Sequence, residues 1–292
     1  MKVFHHNDMD GYAAAHAVKT YKNLTDTDIK NDFIELDHSE KDKDKFDVCS
    51  VFEEVWIVDY SFTEKTCHIL KTLLDKKCKI RWIDHHASSL NLLKNHPEFA
   101  VIPGIIRNGI SGAALTYMYC FLKEYDINEC PKYIQLVSDY DCWHLKMNPL
   151  TDYFKLYFDY REDKWACLDE LYENRHSVQF ITKCCEIGKI IKSYIDSDNT
   201  FYRNAYGYEA EFEGLTVFVV NKDTNSWIFG DLIKKYPMVV NFAFDGENYK
   251  YSLYADESFD TDCSKIAEKH GGGGHPGVAG FISKELLFKK KK

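Results

Sequence analysis

Three short apolar runs in this chain each stop on a carboxylate or an imidazole, and that pattern limits the folds open to it more than any other feature. Val3-Phe4 leads into His5-His6-Asn7-Asp8-Met9-Asp10-Gly11, Val55-Trp56-Ile57-Val58 stops at Asp59, and Lys79-Ile80-Arg81-Trp82-Ile83 stops at Asp84-His85-His86. Between them, alanine-rich Tyr12 to Tyr21 has helical spacing, as does Thr63 to Asp75, with Leu70, Leu73 and Leu74 on one side. Phe33 to Asp37 adds a strand, followed by a charged loop from Glu40 to Lys45. Strands alternating with helices read as an α/β unit around a mainly parallel sheet. Ligands of such sheets bind outside the carboxyl ends of the strands, so each run delivers Asp or His to one edge.

In an extended backbone, residues two apart share a side. His6, Asp8 and Asp10 then converge on one patch, and His5 faces the other way as a structural residue. Burying unpaired charge is costly, and a metal ion resolves that conflict. Taken alone, the stretch fits a ligand set and a solvated turn with a chance histidine equally well. Asp59 alone reads as a turn former. Taken with Asp84-His85-His86 and a fourth acidic cluster, Ser138-Asp139-Tyr140-Asp141-Cys142-Trp143 at the end of a helix starting near Pro131, they offer oxygen and nitrogen ligands for two divalent ions. Carboxylate and imidazole without thiolate suggest manganese or magnesium before zinc.

Ser111 is placed to cap a helix running toward Tyr125, with Ala114, Leu115, Met118 and Leu122 on its apolar face. Arg107 and Asn108 stand just before it, within reach of a phosphate. Residues 150 to 175 read as helical. Phe180, Cys184, Ile187, Ile191, Tyr194 and Ile195 describe one long helix from about His176 to Asp198, able to bridge two domains. Strands at 215–220, 238–244 and 249–254, with helical segments at 227–235 and 262–269, place a smaller α/β domain beyond a boundary near residue 200. Gly271-Gly272-Gly273-Gly274-His275-Pro276-Gly277 then precedes a strand at 278–282. Glycines can expose backbone N–H groups as an anion-binding nest, with His275 as an added donor; phosphate binding is favoured over a flexible loop.

The 292 residues suffice for two cores, and the net charge of -9 argues against a protein that coats long nucleic acid. A small anionic substrate stays open. No apolar run approaches the roughly 20 residues of a membrane helix, and the start lacks a signal sequence, so the expectation is a cytoplasmic protein with no membrane partner. Ten cysteines without a C-x-x-C pair fit reduced buried thiols rather than a disulfide framework. The Lys289 to Lys292 run reads as a solvated, frayed tail.

In their order along the chain, His6-Asn7-Asp8-Met9-Asp10-Gly11, Asp59, Asp84-His85-His86, Asp139-Tyr140-Asp141-Cys142-Trp143 and Gly272-Gly273-Gly274-His275 resemble the DHH phosphoesterases with a C-terminal DHHA1 domain. The resemblance covers essentially the whole chain. Within that family, the H-N-D-x-D-G opening and the D-Y-D-x-W motif are most similar to the small oligoribonucleases, or nano-RNases, which act on very short RNA and linear dinucleotides. The resemblance implies an α/β fold: an N-terminal DHH catalytic domain (1–175) with a mainly parallel sheet, a linker helix (176–199) and a smaller C-terminal α/β DHHA1 substrate-binding domain (200–292).

It also implies a site with two divalent ions, manganese or else magnesium. His6 and Asp8 would hold one ion, Asp10, His85 and Asp139 the other, and Asp59 would bridge them. Asp141 is the alternative to Asp139, which the motif favours. Asp84 would orient a neighbouring histidine, and His86 would face the scissile phosphate. Gly272, Gly273, Gly274 and His275 would grip phosphate, with Arg107 as a further contact. The implied activity is metal-dependent hydrolysis of short oligonucleotides or linear dinucleotides to 5′-mononucleotides. Alternatives are a phosphatase on pAp-like nucleotides, a cyclic-dinucleotide phosphodiesterase, an exopolyphosphatase, and a nucleotide-binding module without catalysis, against which the intact ligand set speaks. A homodimer is compatible with the sequence. Two positions depart from the family: Ser252-Leu253-Tyr254-Ala255 stands where Ser-Leu-Arg-Ser is frequent, removing a bidentate phosphate clamp, and Val278 replaces a usual alanine. Trp143 can stack on a base, but is read as a core residue.

Overall fold

The computed structural model describes residues 1–37 and 42–291, and the chain divides into two units, Met1–Ile191 and Lys192–Lys292. The division falls inside the long helix expected to join the domains. Glu40 and Lys41 of the expected charged loop lie outside the described residues, as does Lys292.

The first unit opens with β1 (Lys2–His6), α1 (Met9–Lys22), α2 (Asp26–Asp32), β2 (Phe33–Leu36) and a single helical turn, α3 (Asp42–Lys45). It continues through β3 (Glu54–Val58), α4 (His68–Asp75), β4 (Lys79–Asp84), α5 (Ala87–Asn95) and β5 (Gly104–Ile106). Helices complete it: α6 (Gly112–Phe121), α7 (Lys132–Asp141), α8 (Leu150–Tyr160), α9 (Lys164–Glu173) and the start of α10 (Val178–Tyr206). The strands form one parallel sheet in the order β2-β1-β3-β4-β5. Val55, Trp56, Ile57 and Val58 are all fully buried, as expected of a strand covered on both faces. Val3, Trp56 and Val58 join a core with the alanines of α1 and with Ala113 and Ala114 of α6. Phe4, Ile57 and Trp82 join the other core, with Phe62 and Leu70. Because β2 and β3 flank β1 on opposite sides, the strand order reverses at β1, and a crevice opens at the carboxyl ends of β1 and β3.

Two expected helices change length. Thr63 to Cys67 forms a hydrogen-bonded turn, with the Cys67 N–H donating to the Thr63 carbonyl at 2.8 Å, and α4 starts only at His68. The long helix α10 runs past Asp198 to Tyr206. Cys184 and Cys185 are buried, whereas Ile187 and Tyr194 of its expected apolar face are exposed. Gly188 explains how α10 lies against α8, since a Cβ there would sit 1.7 Å from the Tyr153 carbonyl oxygen.

The Asp169 carboxylate on α9 ties that helix to α1 through His16 (2.9 Å) and Lys19 (2.7 Å). Hydrogen bonding by His16, then Lys19, holds its pKa down to about 2. A depressed carboxyl pKa stabilises the fold above the unfolded value near 4 and loses that contribution as pH falls through the folded one. Asp169→Asn should therefore lower the melting temperature at neutral pH, with the difference from wild type closing as pH drops from about 4 toward about 2. A constant difference down to the lowest pH would mean that the loss is one of packing.

The second unit is a seven-stranded sheet, ordered β10-β11-β9-β8-β7-β6-β12. Its elements are β6 (Gly207–Phe212), β7 (Leu215–Asn221), β8 (Val239–Phe244), β9 (Tyr249–Tyr254), α11 (Cys263–Lys269), β10 (Gly273–His275), β11 (Val278–Ser283) and β12 (Lys289–Lys290). Among the described residues of this unit, only β7 and β8 pair in parallel. The expected helix at 227–235 is a run of 3₁₀ turns, Ser226–Lys234, broken at Gly230, where φ is 50°. The first part of the lysine run is not frayed: Lys289 and Lys290 pair with β6, because an edge strand leaves N–H and C=O groups open for a further chain segment. All ten cysteines are unpaired and eight are buried. Among the described residues no helix is long and apolar enough to cross a membrane.

Candidate active site

At the carboxyl edge of the first sheet, β1 ends in His6 and feeds α1 through Asp8. One Asp8 oxygen caps α1, accepting from the Gly11 N–H (2.9 Å), and the other lies 2.9 Å from His6 Nδ1. Burial opposes ionisation of Asp8, yet the His6 contact brings its pKa below the ordinary value. Asp10 is buried, and its two oxygens accept from the N–H groups of Gly112 (2.7 Å) and Ala113 (2.9 Å). Those groups are the start of α6, where the helix dipole favours negative charge. Ser111 caps the same helix, as the sequence suggested.

Asp59 follows β3 with φ of 53°. This left-handed backbone turns its side chain into the crevice, and its Oδ1 lies 3.3 Å from His85 Nε2. The same nitrogen is 3.3 Å from Asp141 Oδ2 and 3.8 Å from Asp10 Oδ2. Asp84 is fully buried; it binds His86 Nδ1 (2.7 Å) and accepts from the Ser89 hydroxyl (2.5 Å). Asp84 therefore fixes the orientation of His86. A ring nitrogen of His86 also falls in one donor group with Asp59 and His85, so a phosphate contact and metal ligation both lie within its geometry.

The structure brings Asp141, not Asp139, to this cluster. Side chains two residues apart on a helix diverge by about 200°, so α7 can present only one of them to the crevice. Asp139 turns away and closes the following turn, accepting from the N–H groups of Lys146 and Met147 (3.0 Å each) and from the Thr151 hydroxyl (2.5 Å). Burial opposes its ionisation, but these bonds hold its pKa below the usual value. Trp143 is likewise not a core residue: a left-handed backbone (φ 52°) turns it outward, it is 74% exposed, and it stacks on Tyr140.

Burial, then the charge of Asp10, pushes the Asp59 carboxyl well above its ordinary pKa, and the same two causes bring Asp141 to about 7. Burial also works against a charged His85, but Cys142 and the carboxylates of Asp10 and Asp141 raise it to about 9. The cluster by itself cannot keep all its carboxylates ionised. Asp59 Oδ1 and Asp141 Oδ2 are buried and accept no hydrogen bond among the described residues. One imidazolium, His85, faces three carboxylates and cannot neutralise them all; buried charge left uncompensated costs on the order of several kcal/mol, more than the roughly 1.5–3 kcal/mol gained by burying one large apolar side chain. A cation would satisfy both oxygens. Potential donor atoms lie within 4.8 Å of one another in three overlapping groups: His6, Asp8 and Asp59; Asp59, His85 and His86; and His85, Asp141 and Cys142. Cys142 is the residue that sequence reading passed over, although it sits beside Asp141 in the same motif.

Arg107 is exposed at this edge, its N–H donating to the Asp84 carbonyl (3.0 Å), and Asn108 donates to the His85 carbonyl (3.1 Å). The glycine run belongs to the second unit and is not an open nest of four N–H groups. Gly271 and Gly272 donate to Glu268 and Ala267 and so close α11. Gly273 to His275 form the edge strand β10, exposed along its length. Gly274 has φ of 147°, and a Cβ on it would lie 2.5 Å from Ala279 Cα. Tyr254 packs its half-buried ring on Phe229 at 6.0 Å.

Gly112 marks how tightly α6 meets the site: a Cβ there would fall 2.6 Å from Asp59 Cβ and 2.7 Å from its Oδ1. Gly112→Ala should cost about 1–3 kcal/mol of stability through overpacking and weaken divalent-cation binding by displacing Asp59. Unchanged melting and cation affinity in that variant would contradict the geometry.

The first unit is thus a five-stranded parallel α/β fold with a carboxylate–imidazole cluster at its strand-order reversal. Over the whole chain the fold is shared with the pGpG-specific phosphodiesterase PggH of Vibrio cholerae (13% identity, 97% of this chain and 92% of that one, TM-score 0.54). RecJ from Thermus thermophilus, solved with Mn2+, aligns with 97% of this chain but 49% of its own, at 11% identity and a TM-score of 0.48. An uncharacterized protein from Helicobacter pylori aligns with 100% of this chain and 95% of its own, at 16% identity and a TM-score of 0.44. No family model and no curated protein matches the chain.

Proposed function

We propose that this chain is a metal-dependent phosphodiesterase that cuts short oligonucleotides or linear dinucleotides to 5′-mononucleotides. One observation carries the reading: two buried carboxylate oxygens, on Asp59 and Asp141, accept no hydrogen bond among the described residues and share a single imidazole nitrogen, His85 Nε2, at 3.3 Å each. Oxygen and imidazole donors around such orphaned atoms fit manganese or magnesium. His6, Asp8, Asp10, Asp59, His85 and Asp141 would hold the ions. When bound, the ions supply a nucleophilic hydroxide at neutral pH and neutralise charge on the phosphoryl group.

The protein's own share is positioning. Asp84 keeps the Nδ1 proton of His86, so the imidazole meets the scissile phosphate in one orientation. Arg107 would clamp a phosphate oxygen, and the second unit's own candidate for a phosphate contact is the exposed edge of β10, Gly273, Gly274 and His275, since Gly272 is taken up in closing α11. The shared fold with a pGpG-specific phosphodiesterase favours a linear dinucleotide among the substrates considered.

Metal-stripped protein given manganese and offered pApA, pAp, a cyclic dinucleotide and polyphosphate tests this reading. Release of mononucleotide from pApA ahead of the other three supports it; preference for pAp, the cyclic dinucleotide or polyphosphate overturns the substrate. Turnover of none would leave a nucleotide-binding module. Manganese should also raise the melting temperature, by mass action on the folded state, and EDTA should return it to the stripped value.

A further inference from the structure

We propose that Glu64, Cys67 and His96 form a second metal site in the first unit, separate from the carboxylate cluster and selective for zinc. One ligand atom from each lies within 4.8 Å of the other two. The three come from the turn that precedes α4 and from the residue that ends α5, segments about 30 positions apart in the chain. His86 caps the start of α5 and His96 its end, so ten residue steps at 1.5 Å each separate these two histidines by about 15 Å along the helix.

The surrounding contacts are those that orient metal ligands. His96 Nε2 points at Glu64 Oε2 (2.7 Å), and Nδ1 meets Glu98 Oε1 (3.1 Å). A carboxylate on the far nitrogen of an imidazole fixes its tautomer and leaves the near nitrogen as the ligand. Asn95 donates to the other Glu64 oxygen (2.8 Å), which turns the carboxylate the same way. The Cys67 sulfur is held by the Glu64 carbonyl at 3.3 Å. Exposed ion pairs between His96 and the two glutamates contribute little by themselves and do not require a buried thiol beside them. Thiolate, imidazole and carboxylate together suit zinc over manganese or magnesium, with a fourth position open to water. The ion would pin the turn at Thr63–Cys67 to the end of α5, bracing the two segments that leave the site after Asp59 and after His86.

Cobalt substitution in the 292-residue chain tests this, because thiolate ligation gives a sulfur-to-cobalt charge-transfer band that carboxylate and imidazole do not. The band should appear in wild type, persist in Cys142→Ser and vanish in Cys67→Ser. His96→Gln, which leaves every thiol in place, should lose one equivalent of bound zinc. A wild-type derivative without the band, a band that survives Cys67→Ser or disappears in Cys142→Ser, or full zinc stoichiometry in His96→Gln would each overturn the site.

Discussion

Asp59→Asn should reduce dinucleotide hydrolysis by about 10³-fold or more, as loss of a group aimed at transition-state charge typically does, while the protein stays folded. The asparagine keeps the shape at the reversal of the strand order but cannot offer a cation the anionic Oδ1, which accepts no hydrogen bond among the described residues. Stripped of metal, the variant should melt no lower than wild type, because the replaced carboxyl is held well above its ordinary pKa by burial and by Asp10. The rise in melting temperature with manganese should shrink or disappear. Activity within tenfold of wild type would remove Asp59 from the mechanism.

The second large effect separates two aspartates two residues apart. Asp141→Asn should cost about 10²–10³-fold in activity with stability retained, since its carboxyl already titrates at about 7 in the cation-free cluster. Asp139→Asn should behave oppositely. Its carboxylate accepts three bonds that close the turn after α7, and bonds to a charged group contribute roughly 1.5–3 kcal/mol each where donors would otherwise be stranded. That variant should lose a few kcal/mol of stability and, measured well below its melting temperature, keep most of its activity. The reverse pair of results would restore the assignment that the motif alone favours.

That pair marks where the sequence was legible and where it was not. Apolar runs ending on Asp or His locate the strands and the edge they serve, because a parallel sheet buries its strands on both faces and exposes their ends. Asp59 and His85 fall at strand ends as the apolar runs suggest, whereas Asp10 lies in the first turn of α1 and not on an extended strand that alternation would align with His6. Choosing between Asp139 and Asp141 needs the rotation of α7, which depends on how that helix meets Thr151 and the turn at Lys146. Strand β5 of three residues, and β12 of two, carry no periodicity to read. In the glycine run, composition suggested an open nest, but whether an N–H is open depends on the C-terminus of α11, which consumes two of them. Cys142, and the grouping of Glu64 with His96, become visible only when the chain brings distant turns together.

Titration of metal-stripped protein with manganese, following mononucleotide release from a linear dinucleotide, tests the central claim most directly. No hydrolysis without metal, and a rise that levels off at two bound equivalents in wild type but stays flat in Asp59→Asn, is the expected result. Hydrolysis by the stripped protein, or no phosphodiester cleavage at saturating manganese, would contradict it.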